Sequence, residues 1–343
     1  MTSAAIVAKR FPPDVIHQFI PYDSPRFVTR FLDHWQPSFA LFVESDLWPN
    51  LILSGAERRI PMIVINGRMS QRSYQRWRSA PATMATLLAQ FEMCLVQSQT
   101  DADRFSALGS PHVFNTGNLK FDVPAPPADP EKLEQLRHAA QGRPVVVASS
   151  THPGEEDVVL DVHRRLAVYF PGLLTIIVPR HPERGPQVAH LTEANGLSVA
   201  VRSRDELPVA TSQIYVADTL GELGLFYRLS PLVFVGGSLV NHGGQNPIEP
   251  IRLGAAVVHG PHVQNFADIY RALDEAGGAK LAGDGEALVK QLGGWLEDRE
   301  ARQRASAAGR VVVDKLGGAL DKTMAALEPY LLQLRLESGT MHA

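Results

Sequence analysis

The chain has 343 residues, of which 45% are apolar and 20% are charged, and its formal net charge is −3. These values are ordinary for a globular enzyme of two domains, and they exclude a disordered chain and a general nucleic-acid-binding charge. The single cysteine, Cys94, excludes an internal disulfide, and its apolar neighbours predict a packing role in the core.

The first half of the chain starts with a helix-like stretch at residues 2–11 and continues with apolar runs. Runs typical of strands lie at residues 17–20, 39–45, 62–67, 94–98 and 112–118. Residues 122–130, DVPAPPADP, are rich in proline and poor in apolar side chains. That composition is typical of an interdomain linker, so we place a first domain at residues 1–125.

Charged side chains follow three of these predicted strands. Glu44 and Asp46 lie two apart on a backbone expected to be extended, so both can face a substrate. The alternative is that Asp46 caps the next helix and Glu44 pairs with a basic residue. Arg68 and Arg72 suit phosphates or carboxylates, unless they are solvated surface side chains. Lys120 can neutralise charge on a leaving group, unless it is an exposed lysine in a hinge loop.

The second half alternates strand-like runs with helical patterns, which predicts βαβ units and a parallel sheet. The runs lie at residues 144–150, 173–179, 197–203, 213–218, 232–238 and 256–260. We therefore predict an α/β fold of two doubly wound domains, residues 1–125 and 126–343, with terminal helices in the second. Ligands are expected in the cleft between the domains, at the carboxyl ends of the strands.

Residues 231–262 contain the most informative motif of the second half: an apolar strand, a glycine-rich loop and a helix start. Glycines let the backbone approach a phosphate, and the N–H groups of a helix start can point at it. Asn246 is expected at the N-cap, Pro247 at the first helical position and Glu249 in a capping box. Glu249 can also accept hydrogen bonds from a ribose diol. The alternative is that the glycines only fit strand to helix.

Two further loops of the second half carry polar groups. His152 follows the first strand, where it can bind a donor sugar or cap the helix that begins there. No second histidine or cysteine stands at metal-ligand spacing from it, so we predict no metal site. Thr219 and Glu222 fit a capping box, while the loop around them can also read a base edge through its main chain.

The string GGS, five residues, GQNPIEP and then GPH resembles the donor-nucleotide loop of the GT-B glycosyltransferases. It is most similar to that of the family that transfers 3-deoxy-D-manno-octulosonic acid (Kdo) from CMP-Kdo to the lipid A precursor. Four more segments resemble the same family: FVESDLWPNL, INGRMSQRSY, NTGNLKFD and STHPGEE. Asp46 stands where that family has a second glutamate.

The resemblance implies a GT-B fold and an inverting transfer of Kdo to lipid IVA in lipopolysaccharide biosynthesis. It implies no cofactor besides the donor substrate CMP-Kdo, no metal, and a membrane surface as the acceptor's location. Glu44 and Lys120 are expected to stabilise the transition state. The CMP contacts implied by the resemblance are Pro179, Arg180, Leu220, Gly221, Glu222, Asn246, Pro247, Ile248 and Glu249.

The family has a membrane-anchoring segment and a first βα unit before the point where its pattern joins this chain, near Thr2. A glutamate in that unit is the family's catalytic base, so we assign no base here and expect the first domain to be incomplete and the chain as written to be inactive. The resemblance places the enzyme at the cytoplasmic face of the inner membrane. The alternatives are another GT-B transferase, a sugar-nucleotide epimerase, or a CMP-binding but inactive fragment.

Overall fold

A computed structural model describes Val7, residues 11–122 and residues 124–340 of the chain, with side chains to residue 336. Most of the predicted helical stretch at 2–11 lies outside the described residues. The described part is α/β, and it divides into two compact units. The first unit comprises residues 1–122 and 317–343, and the second comprises residues 123–316.

The first unit is built on a four-stranded parallel sheet in the order β1-β2-β3-β4. Its strands are β1 (Ala40–Val43), β2 (Met62–Gly67), β3 (Met93–Val96) and β4 (Val113–Asn115). Its helices are α1 (Pro25–Trp35), α2 (Pro49–Glu57), α3 (Gln71–Trp77), α4 (Pro81–Leu88), α5 (Gln99–Ala107) and, at the other end of the chain, α14 (Ala319–Thr340).

The predicted strand at residues 17–20 is wrong, because those residues pair with no sheet and are exposed in the structure. Phe19 is 71% exposed. β1 is instead the edge strand, hydrogen-bonded within the described chain to β2 alone. Its Leu41 and Val43 are 42% and 48% exposed, so apolar surface is present at this edge, as expected from the sequence.

Alternation along β2 gives the first sheet two apolar faces. Met62 and Val64 face a cluster formed with the connecting helices. Ile63 packs on the other side with Leu95 and with Leu327 of α14. The last helix therefore belongs to the first unit, and our prediction that the terminal helices belong to the second domain is wrong for α14. The physical reason for the placement of α14 is that the second face of the first sheet is apolar, and α14 covers it.

The second unit contains a seven-stranded parallel sheet in the order β11-β10-β9-β5-β6-β8-β7. Its strands are β5 (Val145–Thr151), β6 (Leu174–Pro179), β7 (Val199–Val201), β8 (Ile214–Val216), β9 (Leu232–Val235), β10 (Ala256–His259) and β11 (Ala279–Leu281). Its helices are α6 (Pro130–Ala139), α7 (Glu155–Ala167), α8 (Gly185–Ala194), α9 (Leu223–Leu229), α10 (Ile248–Arg252), α11 (Ala267–Glu275), α12 (Gly285–Glu297) and α13 (Arg299–Leu316).

Starting from β5, the chain first adds strands β6, β7 and β8 on one side of the sheet. It then adds β9, β10 and β11 on the other side of β5. The strand order therefore reverses between β5 and β9, which is the topological switch point where doubly wound sheets bind ligands. We did not predict β11, a three-residue strand that contains the polar Lys280. Strands β6, β9 and β10 are buried at every position, which is typical of parallel strands covered on both faces.

Cys94 is fully buried in β3 and accepts a hydrogen bond from the Ser110 hydroxyl at 3.4 Å. Burial raises the pKa of its thiol to about 11, so the thiol stays protonated and packs as a small apolar group. None of the helices in the described ranges is long and apolar enough to cross a membrane.

Candidate functional site

The loops at the carboxyl ends of β5 and β9 meet around one buried carboxylate, that of Glu155. It is 0% exposed and accepts four main-chain N–H groups. Its Oε2 accepts from His152 at 2.9 Å and from Gly237 at 2.7 Å. Its Oε1 accepts from Ser238 at 3.0 Å and from Leu239 at 2.9 Å. Glu155 therefore joins the two loops that flank the switch point.

This bonding bears on the prediction that the glycines let the backbone of the turn approach a phosphate while the N–H groups of the helix start point at it. The N–H groups of Gly237, Ser238 and Leu239 already donate to the internal carboxylate. Gly236 allows the close packing, because a Cβ added there would lie 2.7 Å from the Ser150 carbonyl oxygen. Gly236 therefore serves the fit of one loop onto another. Glu155 itself was missed, although it stands in the STHPGEE segment.

The second glutamate of that segment, Glu156, holds the loop after β6. Its Oε1 accepts from the Thr151 hydroxyl at 2.9 Å and from Arg184 Nη1 at 2.6 Å. Arg180 follows directly on β6, and its N–H donates to the Thr151 carbonyl. The predicted donor contacts Pro179 and Arg180 are thus fixed to the end of β5, with Pro179 buried and the Arg180 side chain exposed.

The helix start at Asn246 to Glu249 forms one residue later than predicted. α10 begins at Ile248 and has five residues, with Pro247 preceding it rather than inside it. The Asn246 Oδ1 accepts the Ile248 N–H at 3.0 Å, so it satisfies the first helical donor. Glu249 does not complete the expected capping box, since its Oε1 accepts instead from the Asn246 side-chain amide at 3.4 Å. Pro247 and Ile248 are buried, and Asn246 and Glu249 are half-buried.

The environment of Glu249 favours its neutral form. Burial raises the pKa of this carboxyl, and the Asn246 hydrogen bond and the positive charge of Arg180 lower it in part. The structure therefore brings together Arg180, Asn246 and Glu249, which come from two of the predicted donor motifs. Carboxyl groups with perturbed pKa values at a strand edge are typical of functional sites.

Three histidines gather beside these residues. The His152 ring stacks on His242, with ring centroids 4.0 Å apart, and meets His181 edge-on at 6.1 Å. The Gln245 amide lies 3.3 Å from His152 Nε2. Burial, followed by the positive charges of its neighbours, lowers the pKa of His152 to about 4, so the ring is neutral at pH 7. We had predicted a role for His152; His242 and Gln245, in the segment NHGGQN, were not singled out.

The loop after β8 carries the last predicted donor contacts, Leu220, Gly221 and Glu222. Leu220 is 71% exposed and Gly221 has a φ of +82°. The Glu222 carboxylate is bound by Arg202 at 3.0 Å and by Lys132 at 2.8 Å. These partners lower the pKa of Glu222 to about 2, with the Arg202 hydrogen bond as the largest cause.

The Glu222 side chain therefore stabilises this loop. The exposed Leu220 and the main chain of the loop remain available to contact a ligand. The predicted capping box is wrong in its geometry, because α9 begins at Leu223 with Glu222 as the preceding residue. Thr219 still donates its hydroxyl to the Glu222 carboxylate, at 2.5 Å. The donor contacts predicted from the sequence thus lie after β6, β8 and β9, at one edge of the second sheet.

In the first unit, the two predicted transition-state residues form an ion pair. Lys120 Nζ lies 2.7 Å from Glu44 Oε1, with side chains 56% and 34% exposed. The expectation of an extended backbone at Glu44 is wrong, because its φ is +58° in a turn that follows β1. Asp46 is not a helix cap, since α2 begins at Pro49 after Trp48. A non-glycine residue held at positive φ is strained, and such residues are concentrated at functional sites.

A second strained residue fixes the loop that carries Lys120. Asn66, with a φ of +52°, is buried at the end of β2, and its Oδ1 accepts the Leu119 N–H at 3.0 Å. Its own carbonyl accepts from the Gln97 amide, which in turn is bonded by Asn118. The ends of β2, β3 and β4 are therefore tied together around the lysine-bearing loop. Arg68 and Arg72 follow on the same edge, both exposed.

Across the ranges that the structure covers, no group of three or more histidine, cysteine, aspartate or glutamate side chains is arranged to hold a metal ion.

Several known proteins that are similar to this chain in sequence share one description. A profile described as 3-Deoxy-D-manno-octulosonic-acid transferase (kdotransferase) matches residues 1–123. The 3-deoxy-D-manno-octulosonic acid transferase of Haemophilus influenzae is 37% identical over 334 residues, covering 96% of this chain and 78% of that protein. The proteins of the same description from Bordetella pertussis and Rickettsia felis are each 34% identical, and the chain covers 74% and 62% of their lengths.

Solved structures agree with the architecture. The C-terminal CMP-Kdo binding domain of WaaA from Acinetobacter baumannii is 33% identical, with a TM-score of 0.51, and the match covers 53% of this chain and 96% of that domain. A putative UDP-N-acetylglucosamine 2-epimerase from Listeria monocytogenes matches 95% of this chain with a TM-score of 0.58 at 13% identity. That second likeness concerns the fold alone and is consistent with two Rossmann-like units of the GT-B kind.

Proposed function

The chain belongs to the family of 3-deoxy-D-manno-octulosonic acid (Kdo) transferases, which are glycosyltransferases, and on that premise we propose a donor, an acceptor and a mechanism. The donor is CMP-Kdo and the acceptor is the lipid A precursor lipid IVA. Transfer inverts the anomeric centre and requires neither a metal ion nor a cofactor. Because the acceptor is a lipid, the reaction takes place at a membrane surface, at the cytoplasmic face of the inner membrane.

The observation that carries the donor assignment is the grouping of Arg180, Asn246 and Glu249 at one edge of the second sheet. The Arg180 guanidinium suits the CMP phosphate, because its donors form a planar fork. Glu249 accepts hydrogen bonds from the ribose diol. The exposed main chain at Leu220 and Gly221 reads the cytosine edge through its N–H and C=O groups. The similar domain from Acinetobacter baumannii, described as CMP-Kdo binding, supports the same donor.

The histidine cluster, with its neutral His152, supports a sugar-binding role beside this nucleotide site. His152 and His242 stack at 4.0 Å, and Gln245 adds an amide. A neutral imidazole can donate or accept a hydrogen bond without competing electrostatically with a phosphate, and rings and amides together suit a polyhydroxylated ligand. We assign the Kdo hydroxyl groups to these three residues.

In the reaction, a general base, to which we assign no residue of this chain, takes the proton of an acceptor hydroxyl group, and the hydroxyl oxygen attacks the anomeric carbon of Kdo. The new glycosidic bond forms while the bond from that carbon to the phosphate oxygen breaks, and CMP leaves with the electron pair. Glu44 stabilises the oxocarbenium-like positive charge, and Lys120 stabilises the negative charge of the departing phosphate. Their ion pair, at 2.7 Å, supports this role, because it holds the two opposite charges in fixed relation before any substrate arrives.

A nucleotide panel tests the donor. Isothermal titration of the full chain with CMP, UDP and GDP is expected to give binding for CMP and much weaker binding for the other two. A preference for UDP would contradict the proposal and favour another GT-B transferase or a sugar-nucleotide epimerase.

The transfer itself is tested separately, by mass spectrometry of lipid IVA incubated with CMP-Kdo and the chain, with and without EDTA. The expected result is a Kdo adduct of unchanged yield in EDTA from a chain that carries the family's first βα unit, and no adduct from the chain as written. Loss of the adduct in EDTA alone would contradict metal independence. CMP binding without any adduct would leave the donor assignment in place and identify the chain as a CMP-binding but inactive fragment.

A further inference from the structure

A cavity of about 840 Å³ lies in the second unit, where β9 and β10 begin. Five arginines line it: Arg228 at the end of α9, Arg252 at the end of α10, and Arg299, Arg302 and Arg310 on α13. The other lining residues are uncharged, so no carboxylate contributes to the wall. The predicted donor contacts follow the opposite ends of the strands, and a strand of four residues spans ~13 Å.

Main-chain carbonyls orient two of the arginines, Arg228 and Arg302, without neutralising them. Arg228 Nη1 donates to the Gly224 and Pro126 carbonyls at 2.9 and 2.6 Å. Arg302 Nη1 donates to the Trp295 carbonyl at 2.6 Å. In the described part of the chain, neither of these two forms an ion pair, whereas Arg310 is paired with Asp314 at 2.9 Å.

Arg302 is the least satisfied of the five. Its Nε is buried and has no hydrogen-bond partner in the structure. Burial, followed by the positive charge of Arg299, lowers the pKa of Arg302. A protein rarely gathers like charges and leaves a buried donor unpaired unless an anion completes the site.

We propose that this arginine-lined cavity is a second anion site of the chain and binds a phosphate-bearing ligand. Guanidinium groups bind phosphate through two parallel N–H donors each, and several converging on one cavity suit a diphosphate or a more highly charged group. The volume is that of a site for a small organic ligand. The shared chemistry is the phosphate group, which a free phosphorylated compound or a lipid headgroup can supply.

Binding of inorganic pyrophosphate to the full chain, measured by calorimetry with CMP at saturation, tests the site. The variants are Arg299→Gln and the double variant R299Q/R302Q. The matched control is Arg304→Gln, which removes the same charge from α13 at a 68% exposed side chain outside the cavity. Thermal unfolding of each variant shows that it is folded. If R302Q disrupts folding because the bond to the Trp295 carbonyl is lost, the test rests on the single variant R299Q. Arg299 is exposed, so its replacement should not disturb the fold.

The dissociation constant is expected to rise at least about tenfold in the double variant, or ~1.4 kcal/mol, and to stay within twofold in R304Q. The proposal would be overturned if the unmodified chain failed to bind pyrophosphate. An equal loss of affinity in R304Q, or displacement of pyrophosphate by CMP, would overturn it as well.

Co-sedimentation with phosphatidylcholine vesicles containing phosphatidic acid distinguishes the two sources of phosphate. If vesicle binding is lost in R299Q and is competed by pyrophosphate, the source is a lipid headgroup. If pyrophosphate binds to the cavity and vesicle binding is the same with and without R299Q, the source is a free phosphorylated compound.

Discussion

The Glu155 carboxylate accepts the Gly237 N–H at 2.7 Å, and 82 positions of sequence separate the two residues. With its three further N–H donors, Glu155 uses both oxygens to join the loop after β5 to the loop after β9. The glycine-rich loop is therefore shaped by an internal anion. The proposed donor site is built on a loop whose conformation is set by the protein itself.

Glu155→Gln should lower the free energy of unfolding by ~2–3 kcal/mol, because the amide nitrogen would face main-chain donors and leave two of them unpaired. Urea unfolding measures the change. Glu193→Gln, at an exposed position of the same unit, is the control and should change stability little. Equal stabilities of E155Q and the unmodified chain would show that the four N–H bonds do not stabilise the loop.

Glu249→Ala should weaken CMP binding by ~1–3 kcal/mol, because a carboxylate partner of the ribose is removed. Titration calorimetry measures the affinity, and unfolding curves verify that the variant is folded. E193Q again is the control. An unchanged affinity in a folded E249A protein would remove Glu249 from the donor site.

Glu249 should also make stability depend on pH. Burial raises the pKa of this carboxyl above its ordinary value of 4.5 in the folded chain. Its contribution to stability is therefore fully present below that ordinary value and is lost as pH rises through the raised folded value. The variant Glu249→Gln has no titrating group at this position and lacks this loss. Without ligand, it should therefore have a higher free energy of unfolding than the unmodified chain at neutral pH, but no advantage over it at pH 4. Urea titrations at both pH values test the difference, and a constant difference would contradict it.

In a chain that carries the family's first βα unit, Lys120→Ala should lower the rate of Kdo transfer while changing CMP affinity by no more than about threefold, or ~0.7 kcal/mol. The Glu44–Lys120 pair is exposed, so its loss should cost at most ~1 kcal/mol of stability. Asp33→Asn breaks another exposed ion pair of the first unit, Arg58–Asp33 at 2.8 Å, and should leave transfer unaffected. A large loss of CMP affinity with normal turnover would make Lys120 a binding residue instead.

His163 should make the second unit sensitive to acid. It is 1% exposed, its Nδ1 lies 2.9 Å from the Thr175 hydroxyl, and burial followed by the charge of Arg143 lowers its pKa to about 4. The unfolded chain binds this proton near pH 6.5, so the stability present above that pH is lost as pH falls towards 4, by up to ~3 kcal/mol.

Urea unfolding between pH 4 and 7 measures this loss. His163→Gln should flatten the dependence of stability on pH, whereas His138→Gln, at an exposed position, should not. An identical slope in H163Q and the unmodified chain would rule out His163 as the linked group.

Local sequence patterns were sufficient for much of the fold. The apolar runs of β5, β6, β9 and β10 predict buried parallel strands, because residues covered on both faces are apolar without alternation. The spacing of glycines and polar residues after β9 predicts a nucleotide site at that loop. The short motifs around Glu44 and Lys120 singled out two side chains. In the fold, Lys120 Nζ and Glu44 Oε1 lie 2.7 Å apart.

The partners of buried charges were decided only by the tertiary structure. Glu155 takes the N–H groups of the glycine turn, and Glu222 binds Arg202 and Lys132 rather than remaining available to a ligand. α14 covers the first sheet although it follows the whole second unit in sequence. Periodicity and turn signals act over a few neighbouring residues. Strand order determines which distant side chains meet, and a buried carboxylate or apolar face is stabilised by whichever partner that order places beside it.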